Sequence, residues 1–599
     1  MNSIARPSNH PYPYLWVVGE GVANLPSGEL VDQRYQVVAP RLWLDTQPHQ
    51  PPGCPDRLPA QALPYLLTHR YRLHGPGLYG ILQRTDGSVI LLLDNVPIHP
   101  QTGEPMPGLE TALLTATPLR QAYWLWQMAQ LWPVLAGYGV ATSLLHLETV
   151  RVEGWRLRLL ELHPDLQPAS LADLVQLWRS LLPVLSPTLT TALTPLLEGI
   201  GTDQTGGESL ILGLNQILLT QMASIPSRFL LAGATTPGPG QPRNEDVCWP
   251  DSNSPPPPSQ DGLQLAIVCD GVGGHEGGEV ASQLAVQSLQ LQLPALLAET
   301  EKESQVIPPE VISDQIKAVI TIVNDLINFQ NDSQARVGRQ RMGTTLVMAV
   351  VLPQRLQTDQ GWKRVHEVYL AQVGDSRAYW ITPNYCQLLT VDDDIAGREV
   401  VAGRQLLPLA QRRPDAGALT QALGTRSGDQ LDIHCQRLIF DEPGVLLLCS
   451  DGLSDNFRVE EAWANYIGLI VKGIVSLEAA VAAWIELANQ KNGHDNSAVV
   501  LLHHQIMPPA LSPLVPPEVP DRPKSDSPLT TTGTLYGETQ ATEETLADPD
   551  ERTGSGVKTG WLVVVAIALG VGIALVWWLK RPSLPEVTPP PPAPGQSTP

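Results

Sequence analysis

Acidic side chains close several apolar runs of this sequence. Asp270 ends LQLAIVC, Asp375 follows EVYLAQVG, Asp451 follows GVLLLCS, Asp495 stands just ahead of NSAVVLLHH, and the pair Glu245 and Asp246 precedes the run opened by Val247. A single Asp-Gly is a turn signal and says little about chemistry. Several carboxylates at the same ends of neighbouring strands are different, because their mutual repulsion is costly unless cations neutralise it. Mg2+ and Mn2+ suit such a donor set, since they take carboxylate, carbonyl and water oxygens in octahedral array. The cluster therefore implies a binuclear metal site. Gly271, Gly273 and Gly274 would let backbone approach a metal or a phosphate with no Cβ in the way. A dinucleotide-binding loop is the competing reading. It fails because Glu276 stands where a third glycine is needed, and Asp270 directly before the loop would repel a pyrophosphate.

The elements that must position these carboxylates can be read from periodicity. LQLAIVCDG, TTLVMAVVL, EVYLAQVGDS, GVLLLCSDG and NSAVVLLHH are short Val-, Ile- and Leu-rich runs bounded by Gly, Asp and Asn, the pattern of sheet strands. Ala281, Leu284 and Ala285 share one helical face after Glu279, and helices are expected from Val311 to about Gln330 and from Ser476 to Lys491. Two groups of strands with helices between and after them predict a layered α+β sandwich.

The ordered set RNEDVCWP, VCDGVGGHEGGEVAS, MGTTLVMAV, VGDSRAYW, LTVDDD, LTQALG, LLLCSDGLSD and GHDNSAVVL closely resembles the metal-dependent protein phosphatases of type 2C, in their bacterial form, over residues 229–505. The resemblance implies a four-layer α-β-β-α sandwich of two antiparallel sheets flanked by helices, with two Mn2+ or Mg2+ ions in a cleft at one end. Carried over to this sequence, Asp270 bridges both ions and the Gly271 carbonyl binds one of them. Asp451 and Asp495 complete the other shell, Glu245 and Asp246 support the second ion partly through water, and Asp375 matches the position of a weaker third metal. Asp270, Asp451 and Asp495 are thus the implied catalytic set. The implied reaction is hydrolysis of phosphoserine and phosphothreonine in proteins by a metal-activated water, opposed by a serine/threonine kinase. Thr344 and Thr345 lie in the MGTT motif, where a packed strand start explains them equally well.

The pattern also departs from the family. Gln241 occupies the place of the Arg that usually grips the substrate phosphate, leaving Arg243 as the nearest basic candidate. Val272 stands where animal members carry a His; His275 and His494 are the remaining imidazoles near the motifs, each open to a loop-structuring reading. Asp392 to Pro414 falls where the family has a mobile flap and is the candidate for substrate selection. A non-catalytic, membrane-tethered scaffold that binds a phosphoprotein is the alternative, and the completeness of Asp270, Asp451 and Asp495 argues against it.

The chain has 599 residues, more than a single core supports, and reads as several parts. Residues 1–225, rich in Leu, Trp and Pro, predict a separate N-terminal α+β domain of regulatory character. Their order of motifs faintly resembles an eroded protein-kinase fold, with Thr149 in place of the metal-binding Asn and Glu161-Leu162-His163 in place of Asp-Phe-Gly; an unrelated α+β module is the other reading. Tyr123, Trp124, Trp126 and Trp132 read as core. Residues 506–560 have the composition of a disordered linker and 580–599 form a Pro-rich tail. Between them Trp561 to Leu579 is uncharged for 19 residues, the length of a transmembrane helix. The N-terminus lacks the apolar core of an export signal, so the expected arrangement is single-pass with the catalytic part facing the cytoplasm. The net charge of −22 argues against a nucleic-acid partner. The six scattered cysteines read as buried hydrophobes in a reducing compartment.

Overall fold

The computed structural model describes residues 14–199, 206–252, 262–272, 277–298, 306–358 and 361–507. The expected linker beyond residue 507, the apolar run 561–579 and the tail lie outside the described residues, as do Gly273, Gly274, His275 and Glu276. Among the described residues no helix is long and apolar enough to cross a membrane. The chain divides into two compact units, Met1–Ala510 and Leu511–Pro599, and every described element belongs to the first.

The N-terminal residues build a six-stranded sheet from β1 (Tyr14–Val18), β2 (Leu30–Val31), β3 (Tyr35–Ala39), β4 (Leu42–Asp45), β5 (Gly77–Gln83) and β6 (Val89–Asp94), in the order β2-β3-β4-β1-β6-β5. Short α1 (Leu63–Leu67) lies between β4 and β5, and α2 (Leu109–Leu113) leads into α3 (Pro118–Gly137). Thr117 caps α3 by accepting the Arg120 N–H at 3.2 Å, and Pro118 sits where the missing N–H costs nothing. Ala122, Trp124, Leu125, Met128, Ala129 and Trp132 of α3 are all buried. A helix apolar on every side belongs in an interior. The hairpin β7 (Val150–Glu153) and β8 (Arg156–Leu159) and the helices α4 (Leu171–Leu181), α5 (Pro187–Gly199) and α6 (Gly206–Met222) surround it.

From residue 227 the strands are β9 (Ser227–Thr236), β10 (Val247–Trp249), β11 (Gln264–Cys269), β12 (Gly271–Val272), β13 (Gly343–Thr344), β14 (Leu346–Thr358), β15 (Gly361–Val373), β16 (Arg377–Ile381), β17 (Cys386–Leu388), β18 (His434–Leu438), β19 (Gly444–Cys449) and β20 (Ser497–Ile506). Two antiparallel sheets result, β10-β11-β14-β15-β18 and β17-β16-β19-β20-β9. Strand alternation sorts their side chains into layers. Leu346, Met348 and Val350 of β14 face α7 (Gly278–Leu297) and α8 (Pro309–Ser333). Val347 and Ala349 face inward, where they meet Trp380, Leu446, Leu448 and Val500 of the other sheet. Val445, Leu447, Val499 and Leu501 face α12 (Arg458–Val471) and α13 (Leu477–Lys491) on the far side. The α-β-β-α layering expected from the sequence is the layering observed. Short α11 (Asp451–Ser454) begins at the carboxylate end, while α9 (Ile395–Val401) and α10 (Leu407–Ala410) pack against each other and α10 against β5.

The N-terminal part was expected as a separate domain, and here the structure differs. One apolar cluster runs from α3 and α6 through Phe229 into the sandwich interior at Val347, Trp380 and Leu446. The cause is α3, whose all-round apolar surface needs more cover than its own sheet supplies. Tyr123 Oη accepts the N–H of Ile439, and Arg120 forms an ion pair with Asp441, both from the segment that leaves β18. The described cysteines are free thiols.

Candidate active site

Strand register brings the acidic residues to one end of the sandwich. β11 runs into Asp270 and pairs antiparallel with β10, so Val247 lies opposite Cys269 and Asp246 beside Asp270. β15 ends opposite the start of β14, with Val373 across from Leu346, and delivers Asp375 through Gly374. In the other sheet β19 ends at Cys449, opposite Val499, so Asp451 after it lies near Asp495 before β20. The side chain of Asp270 is within hydrogen-bonding reach of both Asp246 and Asp451.

The electrostatics follow from that crowding. Burial, then the charges of Asp451 and Asp495, push the Asp246 carboxyl up to about 8. Burial, then Asp455 and Asp495, push Asp451 up to about 6. Asp270 is raised well above the usual carboxylate range by burial and by Asp246, Asp451 and Asp375. Asp375 is raised by burial and by Asp451 and Asp392. Glu245 turns a different way: burial, Glu279 and Asp495 raise it, and Arg243 opposes the shift. So Asp270 feels Asp246, Asp451 and Asp375 together, and the charge of Asp495 acts on Asp246, Asp451 and Glu245 alike. Among the described residues no three carboxylate, imidazole or thiol groups already form a closed cation shell.

Hydrogen bonds hold the ligand-bearing loops, and several of the groups that make them were not singled out from the sequence. Ser450 Oγ donates to Asp246 Oδ2 at 2.6 Å and accepts the Ala498 N–H at 2.9 Å, tying the two sheets together at the site. Asn496 Oδ1 accepts the Glu245 N–H at 2.8 Å while its Nδ2 donates to the carbonyls of Pro237 and Arg243, each at 2.9 Å. Thr345 Oγ1 accepts the Asp270 N–H at 3.0 Å and lies 2.7 Å from Ser376 Oγ. Thr344 Oγ1 donates to the Asp270 carbonyl at 2.9 Å. Both threonines are buried, Thr344 closing β13 and Thr345 between β13 and β14, and both set the backbone of Asp270.

Gly271 shows why its side chain is missing. A Cβ there would lie 2.6 Å from the Gly278 carbonyl carbon and 2.9 Å from Glu245 Cβ, so only glycine lets the start of α7 close on the acidic pair. Gln241, in the place of the usual Arg, donates to the His494 carbonyl at 2.9 Å. Arg243 is exposed, and its charge acts on Glu245. His494 is exposed, with Nε2 at 4.0 Å from Asp455 Oδ2.

LTVDDD divides three tasks among three consecutive aspartates. Asp392 takes Arg377 in a two-pronged ion pair at 2.6 and 3.1 Å, Asp393 accepts the Gly374 N–H at 2.9 Å, and Asp394 caps α9 by accepting the Gly397 N–H at 2.6 Å. The segment 392–414 that follows is packed under α1: a Cβ at Gly403 would lie 3.4 Å from Leu63 Cδ2, and Tyr65 and Leu66 share one small cavity with Val400 and Leu407.

A sandwich of this form with a carboxylate cluster at one end defines a phosphate-ester hydrolase that works with divalent cations. The profile of the family described as protein phosphatase 2C matches residues 258–484. The serine/threonine phosphatase stp of Listeria welshimeri is 30% identical over 250 residues, covering 42% of this chain and 88% of that one. Protein phosphatase PhpP of Streptococcus pneumoniae is 26% identical over 241 residues, covering 40% of this chain and 86% of that one. Among solved structures, the serine/threonine phosphatase PstP/Ppp of Mycobacterium tuberculosis aligns with a TM-score of 0.33 and 25% identity, covering 46% of this chain and 98% of that one. A catalytic domain of PstP in complex with two manganese ions gives the same TM-score of 0.33, with 25% identity over 47% of this chain and 99% of that one. The chain belongs to the protein phosphatase 2C family and is a serine/threonine phosphatase.

Proposed function

We propose that this phosphatase holds two divalent cations, Mn2+ or Mg2+, between Asp246, Asp270, Asp451 and Asp495, with the Gly271 carbonyl and Glu245 contributing at the α7 side and Asp375 placed for a third. The observation that carries the reading is the set Asp246, Asp270 and Asp451 at strand ends, each raised by burial and by its neighbours, since cations relieve that repulsion. The donors are all hard oxygens, which fits Mn2+ and Mg2+ and not a soft metal. When bound, such ions neutralise phosphate oxygens and sharpen a water as nucleophile. The chain's own groups do the remaining work. Ser450 and Thr345 fix the orientation of the ligating loops, and the exposed Arg243 is assigned to the substrate phosphate. Segment 392–414 borders the cleft and selects the phosphoprotein, with a serine/threonine kinase supplying the phosphorylated substrate.

The run 561–579 is assigned as a single-pass anchor with the catalytic part on the cytoplasmic side; its apolar length supports this. The N-terminal part is assigned a regulatory role. Glu161, in the Asp-Phe-Gly place of the kinase resemblance, is taken by Arg41 at 2.7 Å and by Trp16 Nε1 at 3.0 Å, which supports a part that transfers no phosphate.

The test is a Mn2+-dependent assay of the full chain on a phosphothreonine peptide, beside Asp270→Asn. Turnover in the natural chain that disappears in the variant is expected; equal turnover in both would favour the non-catalytic scaffold. Membrane fractionation with and without residues 561–599 checks the anchor, and a chain that stays soluble with those residues present would remove it.

A further inference from the structure

Asp375 reaches the site through one glycine, and that glycine is held by Asp393. Gly374 has φ +102°, and a Cβ on it would lie 2.9 Å from both Cβ and Cγ2 of Thr345. Its N–H donates to Asp393 Oδ2 at 2.9 Å and its carbonyl accepts the Asp393 N–H at 3.0 Å. Asp393 thus clamps the turn from both sides. Its carboxylate is buried, with the side chain 4% exposed, and takes a further hydrogen bond from Gln421 Nε2 at 2.7 Å.

A buried carboxylate needs a compensating charge. No Lys or Arg of the sandwich is paired with it among the described residues; the cation comes from the N-terminal part. Arg70 Nη2 lies 3.8 Å from Asp393 Oδ1, and Arg70 Nη1 donates to His434 Nδ1 at 3.3 Å. His434 opens β18 opposite Gln372, two residues before Gly374, and its Nε2 is 3.7 Å from the same Asp393 oxygen. With Nδ1 accepting from Arg70, the imidazole keeps its remaining proton on Nε2, the nitrogen that faces Asp393. The pairing of Arg70 with Asp432 at 3.1 Å is a surface contact, as Asp432 is 63% exposed, and carries little energy. Arg70 follows α1, the helix packed against segment 392–414.

We propose that Arg70 is a positioning residue of the phosphatase site: a cation contributed by the N-terminal part that keeps Asp393 on Gly374 and so fixes where Asp375 points. The site is then incomplete without residues that the phosphatase sandwich does not contain, and a signal that moves α1 reaches the carboxylates through Arg70. The inference rests on the assignment of Asp375 to the metal cleft.

The test compares full-length natural chain with Arg70→Gln, Arg70→Lys and Arg120→Gln. Arg120 also crosses between the two parts, pairing with Asp441, but at the far end of β18 from the cleft. Three readouts are taken: kcat and KM on p-nitrophenyl phosphate, Mn2+ uptake by calorimetry, and hydrogen exchange of residues 373–376. Arg70→Gln should lose about fivefold in kcat and weaken the Mn2+ site of lowest affinity, the scale of one partly screened ion pair. Exchange at 373–376 should quicken, KM should stay within about twofold, Arg70→Lys should recover most of the loss, and Arg120→Gln should match the natural chain. Unchanged kcat, Mn2+ uptake and exchange in Arg70→Gln would overturn the proposal, as would an equal loss in Arg120→Gln, which would mark general docking. A natural chain with no turnover would instead strike the phosphatase reading itself.

Discussion

Asp270 is placed where a carboxylate is least comfortable, between Asp246 and Asp451 and near Asp375. A carboxyl whose folded pKa is raised destabilises the fold at every pH above its unfolded value, so the metal-free protein carries a penalty at this residue. Asp270→Asn keeps the shape and removes the charge. Without metal it should therefore raise the melting temperature, while kcat with Mn2+ falls by roughly 10³-fold, since several kcal/mol of charge stabilisation go with the ligand. Calorimetric melts in EDTA and steady-state assays check the two halves. A variant that is both less stable without metal and inactive would mean that Asp270 is merely structural. Chelation itself should destabilise the natural chain, by about 2.7 kcal/mol relative to Mn2+ at a hundred times its Kd.

At the scale of the element, the sharp constraint is the turn from β15 into Asp375. Gly374→Ala forces a Cβ into Thr345 and a side chain into left-handed backbone, at about 1–3 kcal/mol. Thr345 also bonds the Asp270 N–H, so the substitution should cost activity beyond its cost in stability. Urea unfolding and kcat measured on the same preparation separate the two effects, and wild-type kcat would break the link. The strands that deliver the carboxylates were legible in the sequence because short apolar runs bounded by Asp are local signals; β11, β19 and β20 begin and end close to where the runs do, and β15 ends where its run predicts but begins earlier, at Gly361. The groups that aim the carboxylates were not legible. Asn496 reaches Arg243 across 253 positions and Ser450 reaches Asp246 across 204, and no periodicity records a hydrogen bond between such distant segments. The separate N-terminal domain was misread for a related reason. The apolar excess of α3 was visible, but nothing local said that the sandwich would cover it.

Two imidazoles oppose acid at the scale of the whole molecule, half-buried His74 against the carbonyl of Leu157 and buried His504 against that of Glu442. Burial lowers each to about 4 from an ordinary 6.5. Both are neutral in the fold, so their stability is full above pH 6.5 and is lost as the unfolded chain takes up protons below it. By pH 5 the loss is roughly 2 kcal/mol for each. The raised carboxyls of the metal-free site take up protons over the same range and act the other way. The imidazole contribution is therefore read as the difference in the shift of urea midpoint from pH 7.5 to 5 between the natural chain and His504→Asn, and an equal shift in both would contradict it. The junction between the two parts rests on another buried group. Arg437 of β18, its side chain 2% exposed, forms an ion pair with Glu367 of β15 and stacks 5.2 Å from the ring of Trp126 on α3. Its guanidinium has no well-aligned hydrogen bond, so the pair supplies compensation of charge more than net stability. Glu367→Gln leaves that cation buried and unpaired, and should cost about 3–5 kcal/mol. Replacing both partners, as Glu367→Leu with Arg437→Met, should recover most of the loss, because no charge is then buried. Since Trp126 packs against the same guanidinium, Glu367→Gln should also loosen α3, seen as faster hydrogen exchange in residues 118–137. A single variant within about 0.5 kcal/mol of the natural chain in urea unfolding would show that water already reaches Arg437, and that α3 is held by its apolar contacts alone.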